Sequence, residues 1–122
     1  MPDQFAAPNL FPADFFNVNS PRGVVFSTRG SGFQVSANAG VAPIEFDNLN
    51  PSYSEQFAPF SRQRLFTALD SRVMEVHFFV PGSTTPATTS GFGAVFTDVD
   101  RPGTTIEYFD ADGHRLAGFD VP

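Results

Sequence analysis

The stretch RVMEVHFFV, residues 72–80, is the clearest strand in the sequence. Its residues alternate between two sets, and a period of two places the sets on opposite faces of a strand. One set is Met74, Val76, Phe78 and Val80, and the other is Val73, Glu75, His77 and Phe79. A single Glu in the middle of a strand most often faces solvent. A zinc site would need at least one more His or several carboxylates around His77 and His114. His77 is therefore expected to be a surface or hydrogen-bonded core histidine and not a metal ligand.

The rest of the chain reads as short strands separated by turns. With 11 Pro and 10 Gly among 122 residues, no long helical period survives, which favours an all-β fold. Beside 72–80, strands are predicted at 22–28, 33–37, 44–47, 92–99, 104–109 and 115–121, and residues 64–69 read as a strand or a helical turn. About seven strands in this order predict an antiparallel β-sandwich of jelly-roll type, occupying residues 22–122.

Two hairpins and a core follow from this assignment. Residues 22–28 and 33–37 are expected to pair around Gly30-Ser31-Gly32. The last two strands are expected to pair around Asp110–Gly113, with Gly113 in the left-handed conformation. The side chains expected to be buried together are Phe78, Phe92, Phe96, Ile106 and Leu116.

Residues 1–21 form an extended arm rich in Phe and Pro, ahead of the sandwich. Such a Pro-broken segment cannot bury its own apolar side chains, so they must pack on something else. Both the chain's own sheet and a neighbouring molecule remain open as that surface. An edge strand at 115–121 would also be a template for strand addition. Together, the arm and the edge predict a homo-oligomer or a strand-complementing partner. The apolar anchors of the arm are Phe5, Leu10, Phe11, Phe15 and Phe16.

Composition excludes several classes of function. The formal net charge is −6, Lys is absent, and no basic cluster is present, so nucleic acid is not an expected ligand. No apolar run is long enough to span a membrane. Cys is absent, which removes disulfides and thiolate chemistry. The sequence also contains no Gly-x-Ser-x-Gly motif and no phosphate-binding glycine-rich loop. A non-catalytic module is therefore preferred. The alternative is a small polysaccharide hydrolase or lyase that uses Glu75, Glu107 or Asp98.

Two kinds of binding site can be placed on the sequence. Asp98, Asp100, Asp110 and Asp112 supply the carboxylate oxygens that calcium prefers, and they predict a calcium site. The competing interpretation is a β-turn whose Asp side chains bond their own backbone. Tyr53 lies in a polar stretch and is the best candidate platform for a glycan ring, although the absence of Trp argues against tight glycan binding.

Two late segments resemble a recurrent family. The stretch GFGAVFTDVD at 91–100 and the stretch TIEYFDADG at 105–113 resemble secreted bacterial jelly-roll-like domains that occur in proteins with the exosortase-sorting PEP-CTERM signal. The likeness runs from about Arg22 to Val121. It implies a structural or binding module that is secreted or on the cell surface, with a glycan or extracellular matrix ligand. The family's sandwich usually continues for more strands, so the resemblance also implies a domain truncated at its C-terminus.

Overall fold

A computed structural model describes residues 3–36, 44–56, 64–97, 99 and 101–122. Strands are its main regular elements, which confirms the all-β prediction at the level of fold class. The helices are short: α1 (Phe15–Val18), α2 (Tyr53–Gln56) and 3-10 turns at Asp3–Phe5 and Ile44–Phe46. The strands are β1 (Val24–Thr28), β2 (Gly32–Val35), β3 (Phe66–Leu69), β4 (Met74–Phe78), β5 (Thr105–Phe109) and β6 (Arg115–Asp120).

The first four strands pair in a nested order. β2 pairs antiparallel with β3, while β1, which precedes β2, pairs antiparallel with β4, which follows β3. Thr28 lies opposite Met74, and Gly32 lies opposite Leu69. The chain advances four residues from β1 to β2 and five from β3 to β4, so the two ladders follow one another with one additional residue on the β3–β4 side. We call the two ladders together the ribbon.

The additional residue lies at a bend in this ribbon. Asp70 has a φ of 60°, the left-handed conformation, directly after β3. Its carboxylate accepts a hydrogen bond from the Ser31 hydroxyl across the bend. Thr28 Oγ1 donates to the Val73 carbonyl oxygen at 3.0 Å and accepts from the Gly30 N–H at 3.2 Å. Side chains on both halves of the ribbon therefore hold the bend in place.

The predicted hairpin between residues 22–28 and 33–37 is wrong. The segment Gly30-Ser31-Gly32 does not reverse the chain; it carries the chain from the β1–β4 ladder into the β2–β3 ladder. Gly30 is required for a close approach, because a Cβ there would overlap the Leu69 carbonyl oxygen. A glycine-rich segment therefore marks a close backbone approach at a bend here, and not a hairpin turn.

The core lies between the arm and the ribbon. Its buried members are Phe11 and Phe15 from the arm and Phe33 and Val35 from β2. The arm runs along the outer edge of the ribbon: the Phe11 N–H donates to the Phe33 carbonyl oxygen at 2.9 Å. Likewise, the Phe26 N–H in β1 donates to the Ala13 carbonyl oxygen at 2.9 Å. The arm therefore covers an edge of its own sheet. Partly buried neighbours of this core include Phe5, Phe16, Phe26, Phe66 and Ala68.

The core predicted from the sequence is wrong in part. Phe78 and Phe92 do contact each other, with ring centroids 5.9 Å apart. Phe96 and Leu116, however, are 41% and 68% exposed. Residues 92–97 form no strand, and residues 44–46, expected to be a strand, form a 3-10 turn instead. Among the described residues, no atom lies within 4 Å of where a side chain at Gly91 or Gly93 would begin.

The C-terminal hairpin is confirmed. β5 and β6 pair antiparallel, with an irregularity of register beside Tyr108. Gly113 has a φ of 83°, the left-handed conformation that the turn requires. The Tyr108 hydroxyl donates to the Phe92 carbonyl oxygen at 2.6 Å. This hydrogen bond links the hairpin to the segment that also contacts β4 through Phe92.

Candidate functional site

A polar cluster lies on the exposed face of the β1–β4 ladder. The register places Ser27 directly opposite Glu75, and His77 follows two residues later on the same face of β4. Ser27 Oγ lies 3.4 Å from Glu75 Oε2 and 3.2 Å from His77 Nε2, and the His77 and Glu75 atoms are 3.2 Å apart. The two ionisable side chains are about half exposed. The alternation of residues 72–80 predicted this shared face correctly.

The cluster contains the residue types of a hydrolytic triad but not its arrangement. In such a triad the imidazole contacts the nucleophile through one nitrogen and the acid through the other. Here the single atom His77 Nε2 faces both Ser27 and Glu75. Glu107, another candidate catalytic residue, instead lies 3.5 Å from Arg115 on the C-terminal hairpin. Asp98 lies outside the described residues. The geometry therefore does not favour nucleophilic catalysis at Ser27.

The predicted calcium ligands fall into two groups. Asp98 and Asp100 lie outside the described residues, whereas the turn brings Asp110 and Asp112 together with His114, their ligand atoms within 4.8 Å of one another. Asp110 Oδ1 accepts hydrogen bonds from the backbone N–H groups of Asp112 and His114, at 2.9 and 2.8 Å. Asp110 therefore acts as the turn-stabilising aspartate that the competing interpretation required.

Calcium binding at Asp98, Asp100, Asp110 and Asp112 stays a prediction, and thermal melting tests it. An ion bound only by the folded state stabilises that state through linkage. We expect millimolar calcium to raise the melting temperature above that in EDTA. We also expect the increase to disappear in Asp112→Asn, whose side chain makes no hydrogen bond within the described turn. Identical melting temperatures in calcium and EDTA would remove the proposed site.

Tyr53, the predicted glycan platform, begins α2. Its N–H donates to the Asn50 carbonyl oxygen at 3.0 Å, and its residue is half-buried. The adjacent turn is held by Asn50, whose side-chain oxygen accepts from the Ser52 N–H at 3.0 Å and the Ser52 hydroxyl at 2.8 Å. Tyr53 is thus only partly exposed, which reduces the surface that it can offer to a sugar.

Sequence reasoning missed three buried polar residues that position the loops and the arm. Asn17 receives a hydrogen bond from the Gly82 N–H and donates to the Ser83 carbonyl oxygen, each at 2.8 Å. Gln34 donates to the Pro8 carbonyl oxygen at 3.1 Å. Ser36 Oγ accepts from the Leu65 N–H at 2.9 Å. Each residue bonds to backbone far away in sequence, so no local pattern could have indicated its role.

No family model, curated protein or solved structure matches this chain. Within the described ranges, no helix is both long enough and apolar enough to cross a membrane. The arguments for function therefore start from the fold, the exposed surfaces and the side-chain clusters described above.

Proposed function

We propose that this chain is a non-catalytic structural or binding module of a secreted or cell-surface bacterial protein, built on a jelly-roll-like sandwich. The nested pairing supports the sandwich, because a jelly roll is a long antiparallel ribbon folded over so that its two halves form two sheets. The resemblance of residues 91–113 to sorted extracellular domains supports the location. The arrangement of Ser27, Glu75 and His77 supports a module without catalytic activity.

The observation that carries a binding role is the exposure of apolar side chains on both faces of the C-terminal hairpin. Phe119 lies opposite Ile106 and contacts Tyr108, whereas Phe109 lies on the other face, opposite Arg115. Phe109, Leu116 and Phe119 are 55%, 68% and 59% exposed. Among the described residues, the backbone hydrogen bonds of β5 and β6 join these two strands only to each other. Proteins normally cover exposed apolar side chains and unpaired strand edges such as those of this hairpin.

We further propose that a second copy of the chain covers this surface. Antiparallel addition about a two-fold axis pairs the same edge strand of both copies, so an open edge of the hairpin can serve as a self-complementary surface. Glu107 and Arg115, the charged pair on the hairpin, lie 3.5 Å apart and compensate each other within one copy. The net charge of −6 opposes association of two copies at low ionic strength. Added salt should therefore strengthen the association.

Light scattering of the whole chain at micromolar concentration tests this function. We expect a mass above the 13.2 kDa of one chain and a larger monomer fraction for Leu116→Ser. The matched control is Val18→Ser, because Val18 is also 68% exposed but lies on α1. A monomeric wild-type chain, with or without added salt, would contradict self-association. If the chain is monomeric and binds a strand-donating peptide or a glycan from a test panel, that ligand takes the place of the second copy as the proposed partner.

A further inference from the structure

We propose that Ser27, Glu75 and His77 form a binding site for a transition-metal dication such as Zn²⁺ or Cu²⁺. The site lies on the exposed face of the β1–β4 ladder and is separate from the C-terminal hairpin. It also differs from the predicted calcium ligands in position and in donor type, because it offers an imidazole nitrogen, one carboxylate and a hydroxyl.

The distances within the cluster match a tetrahedral coordination shell. Ser27 Oγ, Glu75 Oε2 and His77 Nε2 form a nearly equilateral triangle with sides of 3.2, 3.2 and 3.4 Å. Zinc binds histidine nitrogens and carboxylate oxygens at about 2.0–2.2 Å, which places neighbouring tetrahedral ligands roughly 3.3–3.6 Å apart. A metal ion can therefore bind all three atoms with only small movements of the side chains.

The scaffold presents these atoms in a defined register. Ser27 and Glu75 are direct cross-strand partners, and His77 lies on the same strand as Glu75. Ladder hydrogen bonds fix the two backbones, so the three side chains converge before any ion binds. A groove of about 190 Å³ lies beside Ser27 and Glu75 and is also lined by Thr28, Arg29 and Val73.

The donor set selects the class of metal. Imidazole favours zinc, copper and nickel, whereas calcium and magnesium prefer several carboxylate and carbonyl oxygens. The cluster has one carboxylate and one imidazole, so calcium is not its expected ligand. Binding requires an unprotonated Nε2 on His77, so the metal ion competes with protons for this atom. The half-exposed side chains leave the site accessible from solvent.

Isothermal titration of the untagged chain with zinc chloride, at neutral to slightly alkaline pH, tests the proposal. We expect one zinc ion per chain. His77→Ala should abolish binding, and Ser27→Ala, which removes the hydroxyl ligand, should weaken it by at least about tenfold, the smallest effect usual even for partners outside the coordination shell. Glu75→Gln keeps the shape of the side chain but removes its charge, and it should also weaken binding. The matched control is His114→Ala, since His77 and His114 are the two histidines of the chain.

The location of the ion distinguishes this site from the turn at residues 110–114. In a two-dimensional NMR spectrum, Cu²⁺ should broaden the amide signals of residues 25–29 and 74–78 and leave those of residues 110–115 sharp. Absence of zinc binding at millimolar metal would overturn the proposal. Binding that survives His77→Ala but is lost in His114→Ala would also overturn it and would assign the metal to the turn. Unchanged circular dichroism of His77→Ala would show that lost binding does not reflect unfolding.

Discussion

Replacing Phe33 by Ala is expected to lower the free energy of unfolding by about 3–5 kcal/mol, the usual cost of removing a buried aromatic ring. Phe33 is 2% exposed. Its ring stacks on Phe66 with centroids 5.3 Å apart and lies 5.9 Å from the ring of Phe26. The cavity would open at the centre of the arm–ribbon core, where rigid strands limit collapse. Urea denaturation of both proteins measures the difference.

Phe96→Ala is the matched control for this experiment. Phe96 is 41% exposed and belongs to a segment without strand structure. Its removal should cost less than about 1 kcal/mol, since little apolar surface is lost from the interior. If the two variants lost equal stability, the main core would not lie between the arm and β2.

Gly30→Ala is the second large expected loss, about 2–3 kcal/mol, in the range seen when a packed interior is overfilled. A Cβ at Gly30 would overlap the carbonyl oxygen of Leu69 and approach the backbone of Asp70. Backbone atoms cannot rotate away as a side chain does, so the bend must open. Opening would also stretch the 3.0 Å hydrogen bond from the Ser31 N–H to the Leu69 carbonyl oxygen. Thermal or urea unfolding detects the loss.

The same substitution at Gly91 provides the comparison. Gly91 has no positive φ, and a Cβ there would meet nothing within 4 Å. We expect Gly91→Ala to change stability by no more than about 0.5 kcal/mol, as for most exposed substitutions. Equal losses at the two glycines would mean that backbone flexibility, and not the close approach at the bend, sets the cost.

Local sequence patterns predicted strands better than they predicted pairing. The alternation in residues 72–80 identified β4 and its faces, and the turn at Asp110–Gly113 identified the β5–β6 hairpin. Both signals act over a few residues. The partners of β1 and β2 lie more distant in the chain, at β4 and β3, and an alternating strand specifies which face is apolar but not which strand lies beside it. The wrong first hairpin follows from this limit.

The same limit applies to the polar cluster. Glu75 and His77 share a face by alternation alone, so the sequence was sufficient to place them together. Ser27 joins them only through the β1–β4 register, and without it His77 had too few neighbours to suggest a metal ligand. The aspartates of the hairpin turn were easier to find, because their spacing and the following Gly113 are local features.

The contribution of the arm to the core has a consequence for synthesis on the ribosome. Phe11 and Phe15 emerge before the rings that cover them, which include Phe33 of β2 and Phe66 of β3. Because chains are made from the N-terminus, the arm is fully covered only after β3 has left the exit tunnel. During that interval the nascent chain displays a row of phenylalanine side chains, the kind of segment that chaperones bind. Translation pauses placed before β3 should therefore lower the yield of folded protein more than pauses placed after it.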